Sequence, residues 1–144
     1  MTGDLPLEHY RDLAEFRRQI RQFLHFSETS AKERGIEPQQ HQLLLTLQGL
    51  PEGTKPTIRE LALRMFLQHH SAVELVNRLE TAGAVERVAC EDDRREVLVR
   101  LTAAGRGKIH KLAVAHRNEL ENSGPELAKA LKSVLRHSRK TVAS

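Results

Sequence analysis

The stretch Thr57–Thr102, TIRELALRMFLQHHSAVELVNRLETAGAVERVACEDDRREVLVRLT, constrains most tightly what this chain can fold into. Thr57 with Glu60 three residues later fits a capping box, in which each side chain satisfies a backbone donor at a helix start. Ile58, Leu61, Ala62 and Met65 then give a short helix one buried face, and the helix breaks around Phe66-Leu67. A second helix is expected from about Gln68 to Gly83. In it Ala72, Leu75, Val76 and Leu79 recur at the spacing of an inward stripe. His69, His70, Val73, Glu74, Asn77 and Arg78 fall on or beside the outward side. Ala84–Cys90 and Glu96–Leu101 read as strands, and the polar run Glu91–Arg95 between them reads as the tip of a hairpin. Helix, turn, helix and hairpin in that order make a helix-turn-helix followed by a wing.

The flanks are helical. Residues 7–34 carry Leu7, Tyr10, Leu13, Phe16, Ile20, Phe23 and Leu24 at steps of three and four, and Gly35 supplies a stop. A rod of about 42 Å follows from 1.5 Å per residue, and it is more suited to lying along a partner than inside one small core. Pro38 opens a second, heavily buried helix through Leu43, Leu44, Leu45 and Leu47, which ends near Gly49. Pro51–Pro56 is the clearest loop. After Thr102 a helix weakened by Gly105 and Gly107 is expected. Ser123-Gly124-Pro125 should break it, and a last helix should run from about Pro125 to Arg139. The fold class is thus mainly α with a small β-hairpin wing, a winged helix-turn-helix domain at 37–102 flanked by dimerisation helices at 7–36 and 103–140. The whole of 1–144 is read as one domain.

Bulk properties exclude several classes. At 39% hydrophobic and 29% charged residues the chain is a globular one, and no apolar run suggests a membrane span. The start MTGDLPLEHYRDL lacks a basic stretch followed by an apolar block, so a cytoplasmic location is expected. The single Cys90, in a wing strand, excludes an internal disulfide framework and reads as a small passive residue. The net charge of +4 hints at a polyanionic partner, but Thr57–Thr102 holds 7 basic against 8 acidic residues while 103–144 holds 9 against 3. Any grip on DNA must therefore come from a few placed groups. There is no catalytic constellation, so no enzyme and no cofactor are expected. His69 and His70 point apart as neighbours on a helix and make a poor metal pair, although distant histidines among the eight can still meet. No metal site is read from the spacing.

Groups suited to reading a major groove gather at the start of the second helix: Gln68, His69, His70 and Ser71, with Asn77 and Arg78 further along. Free backbone N–H groups there favour phosphate. Arg78, four residues from Glu74, is placed to neutralise it. At the hairpin tip Arg94 and Arg95 suit the narrow minor groove, and Asp93 can brace them by accepting hydrogen bonds. Thr57 completes the DNA-facing set. Phe16, Phe23, His41 and Phe66 are residues that can line a ligand cleft or serve as core.

The runs LVNRLETAGAVERV and DDRREVLVRLTAAGR, with TIRELALRM before them and long helices at both ends, resemble the MarR family of bacterial winged-helix transcription regulators. The resemblance implies a homodimer on a pseudo-palindromic double-stranded operator. It carries the recognition-helix contacts to Gln68–Ser71 and the wing contacts to Asp93 and Arg95, with Arg94 auxiliary. It also implies a repressor relieved by a small aromatic or phenolic effector. The chain departs from the family where Gln68-His69 replaces a common Ser-Arg pair, and at Glu74. Those departures and the near-neutral reading segment motivate the alternative, a winged-helix protein-interaction module with weak or no DNA binding.

Overall fold

The computed structural model describes residues 3–143, with side chains as far as His137. The elements are α1 (Leu7–Glu33), α2 (Pro38–Gln48), α3 (Ile58–Met65), α4 (His69–Thr81), β1 (Val85–Ala89), β2 (Val97–Leu101) and α5 (Ala103–Ala143). The chain divides into two compact units. One comprises Ser30–Val114, and the other the first 29 residues with 115–144.

The Ser30–Val114 unit is built around Leu43, Leu44 and Leu47 of α2, Leu61 of α3, Leu75, Val76 and Leu79 of α4, and Val85, Val99 and Leu101 of the hairpin. Fully burying each such side chain is worth about 1.5–3 kcal/mol. The α4 stripe expected from helical spacing is the stripe that is buried. The hairpin is antiparallel with Val85 opposite Leu101 and Ala89 opposite Val97. Along β2, Val99 and Leu101 enter the core while Val97, nearer the tip, stays exposed.

Three helices end in the same way. At the end of α1, Gly35 (φ 72°) donates to the Lys32 carbonyl and Ile36 to the Ala31 carbonyl. At the end of α4, Gly83 (φ 77°) and Ala84 repeat the pattern on Glu80 and Leu79. This is the Schellman arrangement, for which glycine is favoured because it takes the left-handed conformation without a Cβ penalty. At the end of α3, Phe66 holds that position with φ 55°, donating to Leu63, and Leu67 donates to Ala62. Its side chain is 96% exposed, so packing contributes little to offset the strain. Phe66→Gly is expected to raise the unfolding free energy by about 1 kcal/mol, read as a higher urea midpoint. A lower midpoint would show that the ring is held by contacts within the chain.

One local expectation changes. The Thr57 hydroxyl accepts from the Glu60 amide at 3.1 Å, but the Glu60 carboxylate turns to Arg64 at 2.9 Å instead of back to Thr57. The Thr57 amide is satisfied by the Lys55 carbonyl, so only half of the capping box forms. Residues 51–56 form the expected loop, which is tied to the hairpin where Val99 donates to the Pro56 carbonyl at 2.8 Å and Thr57 makes an isolated bridge to Leu98.

The expected break at Ser123–Pro125 is absent. α5 runs from Ala103 to Ala143 with Pro125 inside it. A proline in a helix interior removes one hydrogen bond and crowds the carbonyl four residues earlier, at a cost of about 3 kcal/mol. Here that carbonyl belongs to Glu121, and Glu121 and Pro125 are both exposed, so water can take the orphaned acceptor. Ser123 donates to the Glu119 carbonyl at 3.0 Å just before the proline.

In the other unit, the stripe of α1 is only partly covered. Phe16, Ile20 and Phe23 are half-buried, whereas Leu7, Tyr10, Leu13 and Leu24 remain exposed, as do Leu120, Leu131 and Leu135 of α5. Polar side chains are buried in their place: Gln19 bonds to Glu15 at 3.0 Å and Ser27 to His116 at 2.8 Å. Arg18 and Gln19 on the Glu15 carboxylate lower its pKa to about 2.

Candidate nucleic-acid interface

The start of α4 is presented outward by its buried opposite face. Gln68 stands at the N-cap with extended backbone and no side-chain cap bond, so the first amides of the helix stay available to an acceptor. Gln68, His69 and His70 are exposed around that end and Ser71 is half-buried. The positive end of the helix dipole and these amides suit a phosphate, while Gln and His side chains can reach base edges. Phe66 projects from the turn immediately before them.

Further along α4 the outward residues are tied down. Asn77 accepts from Arg87 through its amide oxygen at 2.6 Å, and the same guanidinium donates to Glu80 at 2.6 Å. Arg87 sits on β1, so it clamps the reading helix to the hairpin. Arg78 pairs with Glu37 at 3.3 Å and does not neutralise Glu74. The reason is reach: Glu37, at the N-cap of α2, lies within range of the Arg78 side chain although it is 41 residues distant. Asn77 uses only its amide oxygen and Arg78 only one of its guanidinium nitrogens in these contacts, so the Asn77 amide N–H groups and the other Arg78 donors are left for a further acceptor.

The wing tip is ordered by Asp93. Its carboxylate accepts from the Arg95 amide at 3.0 Å and its carbonyl from the Glu96 amide at 3.0 Å. That is the bracing expected of Asp93, and it leaves the Arg94 and Arg95 side chains exposed. At the base of the wing Lys55 bonds Glu96 at 3.1 Å. The Glu96 carboxylate, chiefly by that hydrogen bond, holds the Lys55 ammonium above the ordinary lysine value. Arg100 pairs with Glu86 across the strands. Cys90 is buried where Lys55, Pro56 and Leu98 line an open cleft of about 630 Å³.

The DNA-facing set from sequence therefore separates. Gln68, His69, His70, Arg94 and Arg95 are presented to solvent, and Ser71 partly so. Thr57 also caps α3, Asn77 and Arg78 also hold partners within the chain, and Asp93 braces the tip. Arg87 escaped sequence reasoning, although its place in the strand just after the α4–β1 turn is the signal that could have found it. Of the ligand-cleft set, Phe66 is in no cleft, and His41 is buried within α2. Phe16 and Phe23 are half-buried on α1, Phe23 edge-on to His116 with centroids 5.9 Å apart.

Residues 34–96, which span α2, the helix-turn-helix and most of the hairpin, match the MarR family model. No curated protein matches the chain by sequence. Among solved structures, the chain is similar to AbsC, a MarR family transcriptional regulator from Streptomyces coelicolor. The identity is 24% over 96% of this chain and 99% of that one, with a TM-score of 0.72. It is also similar to a MepR mutant from S. aureus bound to an oligodeoxyribonucleotide, at 15% identity over 96% and 99% of the two chains and a TM-score of 0.64. An overoxidised AbfR bound to DNA gives 26% identity over 84% and 87%, with a TM-score of 0.57. Among the described residues, no helix is long and apolar enough to cross a membrane. From the buried α4 stripe and braced wing to the matched model, these findings agree: residues 34–96 match the MarR family model, and the chain has the winged helix-turn-helix fold of solved MarR family regulators.

Proposed function

We propose that the chain is a homodimeric, sequence-specific DNA-binding transcription regulator that occupies a pseudo-palindromic operator. The observation that carries the reading is the joint presentation of the polar start of α4 and the arginine pair of the wing, on elements that Arg87 holds together. Gln68, His69 and His70 enter a major groove, and Arg94 and Arg95 take the flanking minor groove. Solved relatives bound to DNA or to an oligodeoxyribonucleotide support a duplex as the partner. The uncovered leucines of α1 and α5 support self-association, since a monomer would leave Leu7, Tyr10, Leu13, Leu131 and Leu135 in water. A repressor role, relieved by a small aromatic or phenolic acid, rests on the family resemblance, and such an acid would act by binding the DNA-free form more tightly.

Selection from random duplexes at near-physiological salt tests this reading. The expected result is an enriched inverted repeat with half-sites about one helical turn, ~34 Å, apart. Its binding should weaken steeply as salt rises. The presence of Glu74 and the balance of charge in the reading segment favour a second reading, a winged-helix module that binds protein. Selection that enriches no motif, with no salt-sensitive binding to duplex, would overturn the DNA reading and favour that alternative.

A further inference from the structure

We infer that Glu8, His9 and His137 form a binding site for a divalent transition ion of the zinc type. The site lies in the unit formed by the two ends of the chain, and the inference does not depend on the DNA reading. Glu8 and His9 belong to the first turn of α1 and His137 to the later part of α5. One donor atom from each of the three lies within 4.8 Å of the others. The His9 and His137 rings stack with centroids 3.9 Å apart and planes at 30°. Asp12 lies on the same side of α1, three residues beyond His9 and four beyond Glu8, and its Oδ2 contacts Nε2 of His137 at 2.5 Å.

The donor set fits zinc-like chemistry. Two imidazoles and a carboxylate suit zinc, nickel or cobalt better than magnesium or calcium, which favour oxygen donors alone. Tetrahedral zinc with bonds of about 2.0–2.1 Å places its donors about 3.3 Å apart. The three atoms must therefore close by about 1.5 Å or less, which the exposed Glu8 and a swing of the stacked rings can supply. Asp12 already provides what metal-binding imidazoles commonly have, a carboxylate on a ring nitrogen that fixes the orientation of the ring. An ion pair between Asp12 and His137 would account for that one contact. It does not account for the convergence of Glu8 and a second imidazole on the same point. Water or a further side chain would complete four-coordination. Bound there, the ion clasps the beginning of α1 to α5 across most of the length of the chain, so metal availability would set how firmly this unit is closed.

The test uses the full chain, stripped with a chelator and titrated with zinc chloride by calorimetry, then with cobalt(II) to read the visible spectrum of a tetrahedral site. One ion per chain is expected, with a rise in melting temperature. Asp12→Asn should weaken binding about 10–100-fold. His137→Ala and Glu8→Gln should remove the tetrahedral cobalt spectrum, whereas His69→Ala/His70→Ala should leave it. Glu8 is exposed, so its amide variant keeps the fold and preserves the test should His137→Ala destabilise α5. Absence of binding at micromolar free zinc overturns the proposal. So does binding that survives Glu8→Gln and His137→Ala, or binding that disappears only in the His69→Ala/His70→Ala variant.

Discussion

Gly105→Ala is expected to destabilise the Ser30–Val114 unit by about 3 kcal/mol or more, despite placing a better helix former in a helix. A Cβ at this position would sit 2.0 Å from the Ala84 carbonyl oxygen and 2.9 Å from its carbon. Both contacts are with backbone, so no rotamer change relieves them. The same carbonyl accepts the Thr102 amide at 3.0 Å. The Thr102 hydroxyl donates to the Gly83 carbonyl and accepts from the Gly105 amide at 3.1 Å. Pushing α5 off the α4–β1 turn thus breaks the cap of α5 and displaces the strand that follows α4. Gly107 offers a control two residues along, with nothing within 4 Å of its Cβ direction. Gly107→Ala should stabilise by roughly 0.5–1 kcal/mol through helix propensity alone. Urea unfolding of the two variants separates the effects. Equal stabilisation by both would refute the close-approach argument.

Arg94→Ala/Arg95→Ala is expected to cost at least about 2 kcal/mol of operator affinity, roughly 30-fold, on an operator obtained by selection. The salt dependence should also become shallower by about 0.9 for each phosphate that is no longer neutralised. Stability should stay within about 0.5 kcal/mol, because both side chains are exposed and the bracing at the tip uses the Asp93 side chain and the backbone of residue 95. Lys129→Ala/Lys132→Ala removes the same charge from an exposed face of α5 and should leave affinity nearly unchanged. Fluorescence anisotropy at two or more salt concentrations distinguishes the cases. If the two double variants lose affinity equally, DNA is held by overall charge and not by the wing.

Much of the fold could be read from local chemistry. Pro38, Thr57 and Gly83 mark helix ends by rules that depend on a few neighbouring residues, and α2, α3 and α4 begin or end beside them. Along β2 the burial alternates only at the inner end, where Val99 and Leu101 are buried and Arg100 is exposed, while Val97 beside the tip is exposed. Pro125 misled because its cost is local but its tolerance depends on which way the orphaned carbonyl faces. Phe66 shows the reverse: a left-handed stop usually filled by glycine is held by an exposed aromatic, which no composition rule for helix ends signals. At the site, helical geometry was enough to bring Gln68, His69 and His70 outward. It could not foresee that Arg78 would reach Glu37, or that Asn77 would be taken by Arg87, since those pairings depend on how separate elements come together. The meeting of His9 with His137 is beyond sequence spacing for the same reason.

The Arg87 clamp has a consequence for how such a chain can change its operator. One guanidinium fastens the middle and end of α4 to the first strand of the wing. Re-aiming the reading helix would drag the hairpin along, and re-aiming the hairpin would drag the helix. The two probes behave as prongs of one fork. Under the proposed function, new binding preferences are therefore more accessible by exchanging the side chains at positions 68–70 and 94–95 than by tilting either prong, because the Arg87 contacts and the core shared by Leu79, Val85 and Val99 both resist a change of angle.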